Sequence, residues 1–276
     1  MAGEAAASSA EVEASLATPP DPDAGAFFDV DNTVMQGASI FHLARGLHRR
    51  KFFTSRDIAR AAWDQAYFRI VGVEHPEAVA NARVSALSFI AGHRVEELES
   101  LSEEIFEEAM AQRIWPGTRA LAQLHLDQGQ RVWLVTAAPV EIARIIAHRL
   151  GLTGALGTVA ESVDGVYTGR LVGDLLHGAA KAEAVAALAR DEGLDLSRCS
   201  AYSDSHNDLP MLSLVGDPCA INPDGKLREH ARREGWRIRD YRTGRKAARL
   251  GLFGAACAGA ATGAVAAAVA LRRKIR

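Results

Sequence analysis

Asp29-Val30-Asp31-Asn32-Thr33 sets two carboxylates two residues apart, directly after the apolar run Ala26-Phe27-Phe28. In that pattern one carboxylate can attack as a nucleophile while the other donates and later takes a proton, and a hard cation is needed to offset the local negative charge. The pattern alone is weak, because nucleotide-sugar transferases, calcium loops and merely solvated Asp pairs also have it. Three later elements add to it. Thr136 offers a hydroxyl and, with Ala137, backbone amides as neutral donors for phosphate oxygens. Lys181, in His177-Gly178-Ala179-Ala180-Lys181, offers a fixed positive charge. Asp204 and Asp208, in Ser203-Asp204-Ser205-His206-Asn207-Asp208-Leu209-Pro210, complete the set. Taken singly, each has a plainer reading: Thr136 as a strand-end cap, Lys181 as a solvated helix residue, Asp204 as a helix N-cap.

The elements around these residues would bring them to one face. Ala26 to Val30 reads as a buried strand running into the Asp pair, and an apolar run that turns abruptly polar suits the carboxyl end of a central parallel strand. Similar runs are Val132 to Val135 before Thr136, Cys199 to Ser203 before Asp204, and Pro218 to Ile221 before Asn222-Pro223. Helical stretches around 118–128, 139–150, 179–192 and 206–214 alternate with them, which implies a doubly wound α/β sheet whose ligands lie beyond the carboxyl ends of the strands. Val159 to Ser162 and Val166 to Leu171 flank Asp164-Gly165, a hairpin signature. Between the first two strands, four amphipathic stretches (Ser39 to Arg50, Ser55 to Ile70, Pro76 to Ile90, Val95 to Met110) read as an inserted helical cap over the carboxyl-end face, where it excludes water and selects substrate.

In this order and on these elements the residues resemble the haloacid dehalogenase-like (HAD) phosphohydrolase superfamily, over roughly residues 26–240. Phe27 to Val34 matches its first motif, Val132 to Pro139 the second, Lys181 the third and Tyr202 to Leu212 the fourth. The helical insert after the first motif and the run Ser203 to Leu212 are similar to subfamily IB, which includes phosphoserine phosphatases. The resemblance implies a HAD-type, Rossmann-like parallel sheet with an inserted cap. It implies Asp29 as the nucleophile that becomes aspartyl-phosphate and Asp31 as the acid and base. Mg²⁺ would be held by Asp29, the Asp31 backbone carbonyl and Asp204, with Asp208 in support. Thr136 and Lys181 would clamp the phosphoryl oxygens, with Asn207 nearby. The superfamily's transport ATPases have Thr where this chain has Asp31, so hydrolysis of the intermediate is favoured over its storage.

The chain departs from phosphoserine phosphatases at two places. They have a Glu nine residues after the nucleophile, near the substrate amine, and a Gly-Gly pair after the second motif's hydroxyl; here stand Ala38 and Ala137-Ala138. Loss of a carboxylate from an ammonium site costs more than about 1 kcal/mol by leaving a charge unpaired, so serine phosphate is disfavoured. Arg45, Arg49, Arg50 and Lys51 could face an anionic substrate, though a solvated helix end whose cations suit its dipole is the favoured reading. Trp63, Tyr67 and Phe68 read as cap core.

Composition bounds the rest. The 276 residues, 48% hydrophobic and 24% charged, describe an ordinary folded chain rather than a fibrous or disordered one. Cys199, Cys219 and Cys257 are far apart with no CxxC pair, so neither a disulfide framework nor a structural zinc site is expected and the compartment reads as reducing. Residues 1–24 read as a solvated tail without the marks of a signal peptide. The net charge of -2 conceals -13 over residues 1–225 (18 basic, 31 acidic) and +11 over 226–276 (14 basic, 3 acidic). A basic end points to a polyanionic partner. Leu250 to Leu271 carries no charge between basic flanks, and as a helix it would be about 33 Å long, enough to cross a bilayer. Its small residues Gly251, Ala255, Gly259, Gly263 and Ala267 recur every four, as in packed membrane helices.

The sequence therefore leads to these expectations: a disordered tail 1–24, a HAD core of 25–37 and 113–241, a helical cap 38–112, and a basic-flanked tail 242–276 with a hydrophobic, transmembrane-length helix at 250–271. The expected activity is Mg²⁺-dependent phosphomonoester hydrolysis through aspartyl-phosphate, on a small or lipid phosphate. The catalytic domain is expected in the cytoplasm, membrane-anchored through its C-terminus, with no nucleic-acid partner. The alternatives are a phosphoserine phosphatase, or a non-catalytic relative that binds a phosphorylated ligand or scaffolds at the membrane.

Overall fold

Gly25–Phe28 forms β1, four residues buried on both faces, and its two neighbours decide the architecture. In the computed structural model, which describes residues 21–52 and 90–242, β1 pairs in parallel with β2 (Arg131–Pro139) on one side and β6 (Ser200–Ser203) on the other. Beyond β2 lies β3 (Gly154–Thr158) and beyond β6 lies β7 (Asp217–Ile221), both parallel. With β8 (Arg237–Arg239) the sheet reads β3-β2-β1-β6-β7-β8. The chain thus winds outward in one direction from β1 and in the other from β6. That reversal opens a crevice at the carboxyl ends of β1 and β6, where open α/β sheets bind ligands.

Burial explains why these runs become strands. Phe27, Val135, Cys199, Ala201 and Ala220 form one apolar face, which α5 (Ala179–Asp191) covers with Val185 and Ala189 and α7 (Gly225–Arg233) with Leu227 and Ala231. The helices α3 (Pro116–Asp127) and α4 (Val140–Arg149) also lie close to the ranges expected from sequence. Three expectations need correction. The strand read as Val132 to Val135 continues to Pro139, with its register against β3 shifting between Val135 and Pro139, so Thr136 sits inside an irregular strand end. The helix expected at 206–214 is a 3₁₀ turn, His206–Asp208, followed by the short α6, Leu209–Leu212. β3 was not anticipated because Gly154-Ala155-Leu156-Gly157-Thr158 has no apolar run. It fits because a Cβ at Gly154 would come within 2.4 Å of the Trp133 ring, so only glycine lets the edge strand approach.

Two cap stretches are described. α1 (Ser39–Arg49) and α2 (Val95–Ile105) pack so closely that a Cβ on Gly46 would lie 2.5 Å from Ile105. Arg50 joins them at the surface through Glu104 (3.2 Å) and Glu108 (2.6 Å). α2 ends in a π-turn, Phe106–Met110, and a 3₁₀ turn, Ala111–Arg113, that return the chain to the core. The stretches expected at 55–70 and 76–90 lie outside the described residues, except for Ile90, as do residues 1–20 and the segment 250–271. Among the described residues no helix is long and apolar enough to cross a membrane.

The Asp164-Gly165 hairpin is present as β4 (Ala160–Val163) and β5 (Val166–Leu171), with φ of 51° and 75° at the two turn residues, the values of a primed turn. The backbone of Tyr167 on β5 bonds Gly92 and His93, just before α2, and its hydroxyl donates to Glu141 Oε1 on α4 (2.8 Å). One residue, through its backbone and its hydroxyl, therefore ties the hairpin and the cap to α4. The chain divides into two compact units, residues 1–238 and 239–276; of the second, Arg239–Arg242 are described, with an Arg242–Asp240 ion pair at 3.0 Å.

Candidate active site

The backbone N–H of Asp29 donates to Tyr202 O (2.9 Å), which extends the β1–β6 ladder by one residue and fixes where the Asp29 side chain leaves the sheet. Lys181, in the first turn of α5, reaches back over the same strand ends and is only 3% exposed. Its Nζ donates to Asp29 Oδ1 at 2.5 Å and to Asp208 Oδ2 at 2.8 Å. Asp208 is buried as well and also accepts from Ser203 Oγ (2.7 Å). Residues 152 positions apart in the chain thus meet through βα geometry, not through local sequence.

Asp31 stands at the other side of this turn. Its Oδ1 accepts the N–H of Ser39 (2.8 Å), the first residue of α1, so this carboxylate is held by the opening of the cap. The intervening loop is secured twice: Thr118 Oγ1 on α3 donates to Thr33 O (2.8 Å), and Asn222 Nδ2, after β7, donates to Asn32 O (2.9 Å). Thr136 is buried on β2, its hydroxyl accepting from Ala138 N (3.1 Å), which is the strand-end capping that the plainer reading foresaw. Asp204 follows β6 and is half-buried. The cap of the 206–208 turn is Ser205, whose hydroxyl accepts from Asn207 N, and not Asp204, whose side chain is left for other work. Asn207 is exposed.

The electrostatics follow from burial. Desolvation pushes the Asp29 carboxyl up to about 6; Lys181 opposes the rise and Asp208 adds to it. Desolvation, then the negative charges of Asp29 and Asp208, raises Asp204 to about 7. Burial alone would lower the Lys181 ammonium, but Asp29 and Asp208 more than reverse this and hold it charged. Asp29 and Asp208 thus share one ammonium and Asp204 lies near enough to feel all three charges, so these three carboxylates leave an excess of two negative charges when all are ionised. A divalent cation fits that excess. Among the described residues no three His, Cys, Asp or Glu side chains are gathered closely enough to hold a metal by themselves. Mg²⁺ does not require such a cage, since it keeps several waters and takes one or two carboxylates. The donor set of Asp29, Asp204 and the Asp31 carbonyl suits it.

Sequence reasoning had not reached Ser203, Ser39, Asn222 or Asp224. Asp224 could have been found, since an Asp before a helical run is an N-cap signature; it caps α7 through Leu227 N (2.8 Å).

A profile of haloacid dehalogenase-like hydrolases matches residues 26–213, a span that contains every candidate site residue. The chain belongs to the haloacid dehalogenase-like hydrolase family. Phosphoserine phosphatase SerB1 of Mycobacterium tuberculosis is 59% identical over 258 residues, covering 94% of this chain and 83% of the relative. A Bordetella pertussis protein of unknown function, solved as a crystal structure, has a TM-score of 0.69 at 29% identity, covering 80% of this chain and 99% of that one. The structure of a phospho-aspartyl intermediate analogue of phosphoserine phosphatase has a TM-score of 0.53 at 20% identity, over 81% of this chain and 97% of that one, a likeness of fold. The family membership makes this chain a hydrolase, and it stands among relatives that carry the names of phosphatases.

Proposed function

We propose that the chain is a Mg²⁺-dependent phosphomonoester phosphatase working through phospho-Asp29. The observation that carries this reading is the buried Lys181 ammonium bonded at once to Asp29 and Asp208 at the switch point of the sheet. An attacking carboxylate beside a fixed cation suits phosphoryl transfer, which asks a protein mainly for positioning and charge neutralisation. Asp29 Oδ attacks phosphorus as the ester P–O bond breaks, and the leaving oxygen takes the proton of the Asp31 carboxyl. Asp31, now a carboxylate, takes a proton from water as that water attacks phosphorus and the bond to Asp29 breaks. Lys181 and the Thr136 hydroxyl and neighbouring amides bind the phosphoryl oxygens, with Asn207 at the rim. Mg²⁺, held by Asp29, the Asp31 carbonyl and Asp204 with Asp208 in support, would supply positive charge where phosphoryl charge develops.

For the leaving group, Ala38 N-caps α1 beside Asp31, and the next residues expose apolar surface, Ile40 at 47% and Phe41 at 61%. With Ala38 where an ammonium-binding carboxylate would stand, a neutral or apolar alcohol, including a lipid phosphate, suits the site better than an ammonium does. The name of the mycobacterial relative favours the second reading, serine phosphate. In this proposal residues 38–112 are the cap, 25–37 and 113–241 the core and 242–276 a tail whose uncharged run 250–271 associates with membrane, with the catalytic part in a reducing, cytoplasmic compartment that suits the buried, reduced cysteines Cys199 and Cys219. The test is turnover of a panel of phosphorylated metabolites and lipid phosphates with and without chelator, using wild type and Asp29→Asn. Activity that survives either chelator or Asp29→Asn would overturn the mechanism, and a sharp preference for serine phosphate would overturn the leaving-group argument.

A further inference from the structure

Asn222-Pro223-Asp224, the segment after β7, belongs to none of the four motifs, yet it bonds the loops of two of them. Asn222 is 1% exposed and holds a left-handed backbone, φ 48°, which Asn tolerates better than most residues. Its Nδ2 donates to the carbonyl of Asn32, itself left-handed at φ 59° (2.9 Å). The Asp31 carbonyl lies one peptide before the Asn32 carbonyl that Asn222 holds, in the same loop. Two residues on, Asp224 N donates to Asp204 O (2.8 Å), and Asp224 Oδ2 accepts from His206 N (2.9 Å). These two bonds straddle Asp204-Ser205-His206 and fix the turn that carries the Asp204 carboxylate. The other Asp224 oxygen caps α7, which anchors the arrangement to a helix packed on the sheet.

We propose that Asn222 and Asp224 are positioning residues for the cation: they set the separation between the Asp31 carbonyl and the Asp204 carboxylate, groups on separate loops that must converge on one ion. The inference rests on the phosphatase reading above. Hydrogen-bonded partners behind metal ligands orient them and thereby control affinity, and their loss typically weakens metal binding or activity about 10-fold or more.

The experiment uses the full chain and two variants. Asn222→Gly keeps the left-handed backbone while deleting the amide; Asp224→Asn keeps the size but can accept only one of the two N–H groups. Mn²⁺ is the probe, its dissociation constant read from the electron paramagnetic resonance of free ion without substrate, alongside the Mg²⁺ activation constant and the thermal midpoint in chelator. The expected result is an Mn²⁺ dissociation constant and a Mg²⁺ activation constant both raised about 10-fold in Asn222→Gly, with a smaller rise in Asp224→Asn and substrate KM at saturating Mg²⁺ little changed. A lowered thermal midpoint with both metal constants at their wild-type values would overturn the proposal, because the segment would then be structural only. If Asn222→Gly does not fold, unchanged metal constants in Asp224→Asn overturn it equally. Wild type that binds no Mn²⁺ would remove the phosphatase reading itself, a result distinct from either.

Discussion

Replacing Lys181 by Met keeps most of the side-chain volume and removes the charge, so it isolates what the ammonium does. In the wild type it lies 2.5 Å from Asp29 and 2.8 Å from Asp208 with almost no access to water. Deleting it leaves two buried carboxylates facing each other with no counter-charge. Breaking a buried pair in this way costs about 3–5 kcal/mol. For a domain of this size 1 kcal/mol moves the thermal midpoint about 2–4 °C, so the lower bound corresponds to a fall of about 6–12 °C. Adding Asp208→Asn removes one of the stranded charges and should recover part of the loss; independent effects would instead add.

Activity should fall further than stability alone requires. Loss of one preorganised charge contact to the transferring group costs about 10²–10³ in kcat, and that loss should persist at temperatures where the variant is fully folded. Lys181→Arg should not rescue it, because a planar fork cannot take the place of a compact ammonium between two carboxylates already at contact distance. Thermal melts and urea titrations of the single and double variants check the first part, and kcat on an aryl phosphate the second. A Lys181→Met protein with the wild-type melting point, or one with kcat within a few-fold of wild type, would refute the reasoning.

Asp31→Asn should still bind Mn²⁺ through its backbone carbonyl but lose at least about 10²-fold in turnover; loss of metal binding would make Asp31 a side-chain ligand instead. Tyr167→Phe leaves the Glu141 carboxylate buried without the hydroxyl it now accepts from, and should cost about 1–3 kcal/mol in urea unfolding. His125 lies between Gln130 (2.5 Å) and Tyr202 (2.7 Å), and burial lowers its imidazole below the usual 6.5. The folded state therefore favours neutral imidazole, so the stability it contributes is complete above about pH 6.5 and is lost as pH falls from there toward the folded-state value. His125→Asn should flatten the stability profile below about pH 6.5, where the wild type loses this contribution; a profile unchanged in slope there would refute the assignment.

How much of this could be read in advance depends on the range of each interaction. The Asp pair, Thr136 and Asp204 were legible because each ends an apolar run, and a run that turns polar marks the carboxyl end of a parallel strand. Lys181 was legible only from its place in an ordered set of motifs: its local helix gives no sign of burial, and its partners lie 152 and 27 positions away. β3 was hidden because its strand character comes from what Trp133 needs above Gly154, not from its own composition. Asn222 and Asp224 were hidden for a related reason. Asn-Pro-Asp after a strand reads as an ordinary turn and N-cap, and both readings are true locally; the added duty appears only when β7 is placed beside β6 and β6 beside β1. A residue whose backbone role is already satisfied gives no sequence signal of a second role. Such residues are found by asking of each motif loop which atoms outside the motif hold its carbonyls and amides, and here the turn that follows β7 is an answer common to both loops.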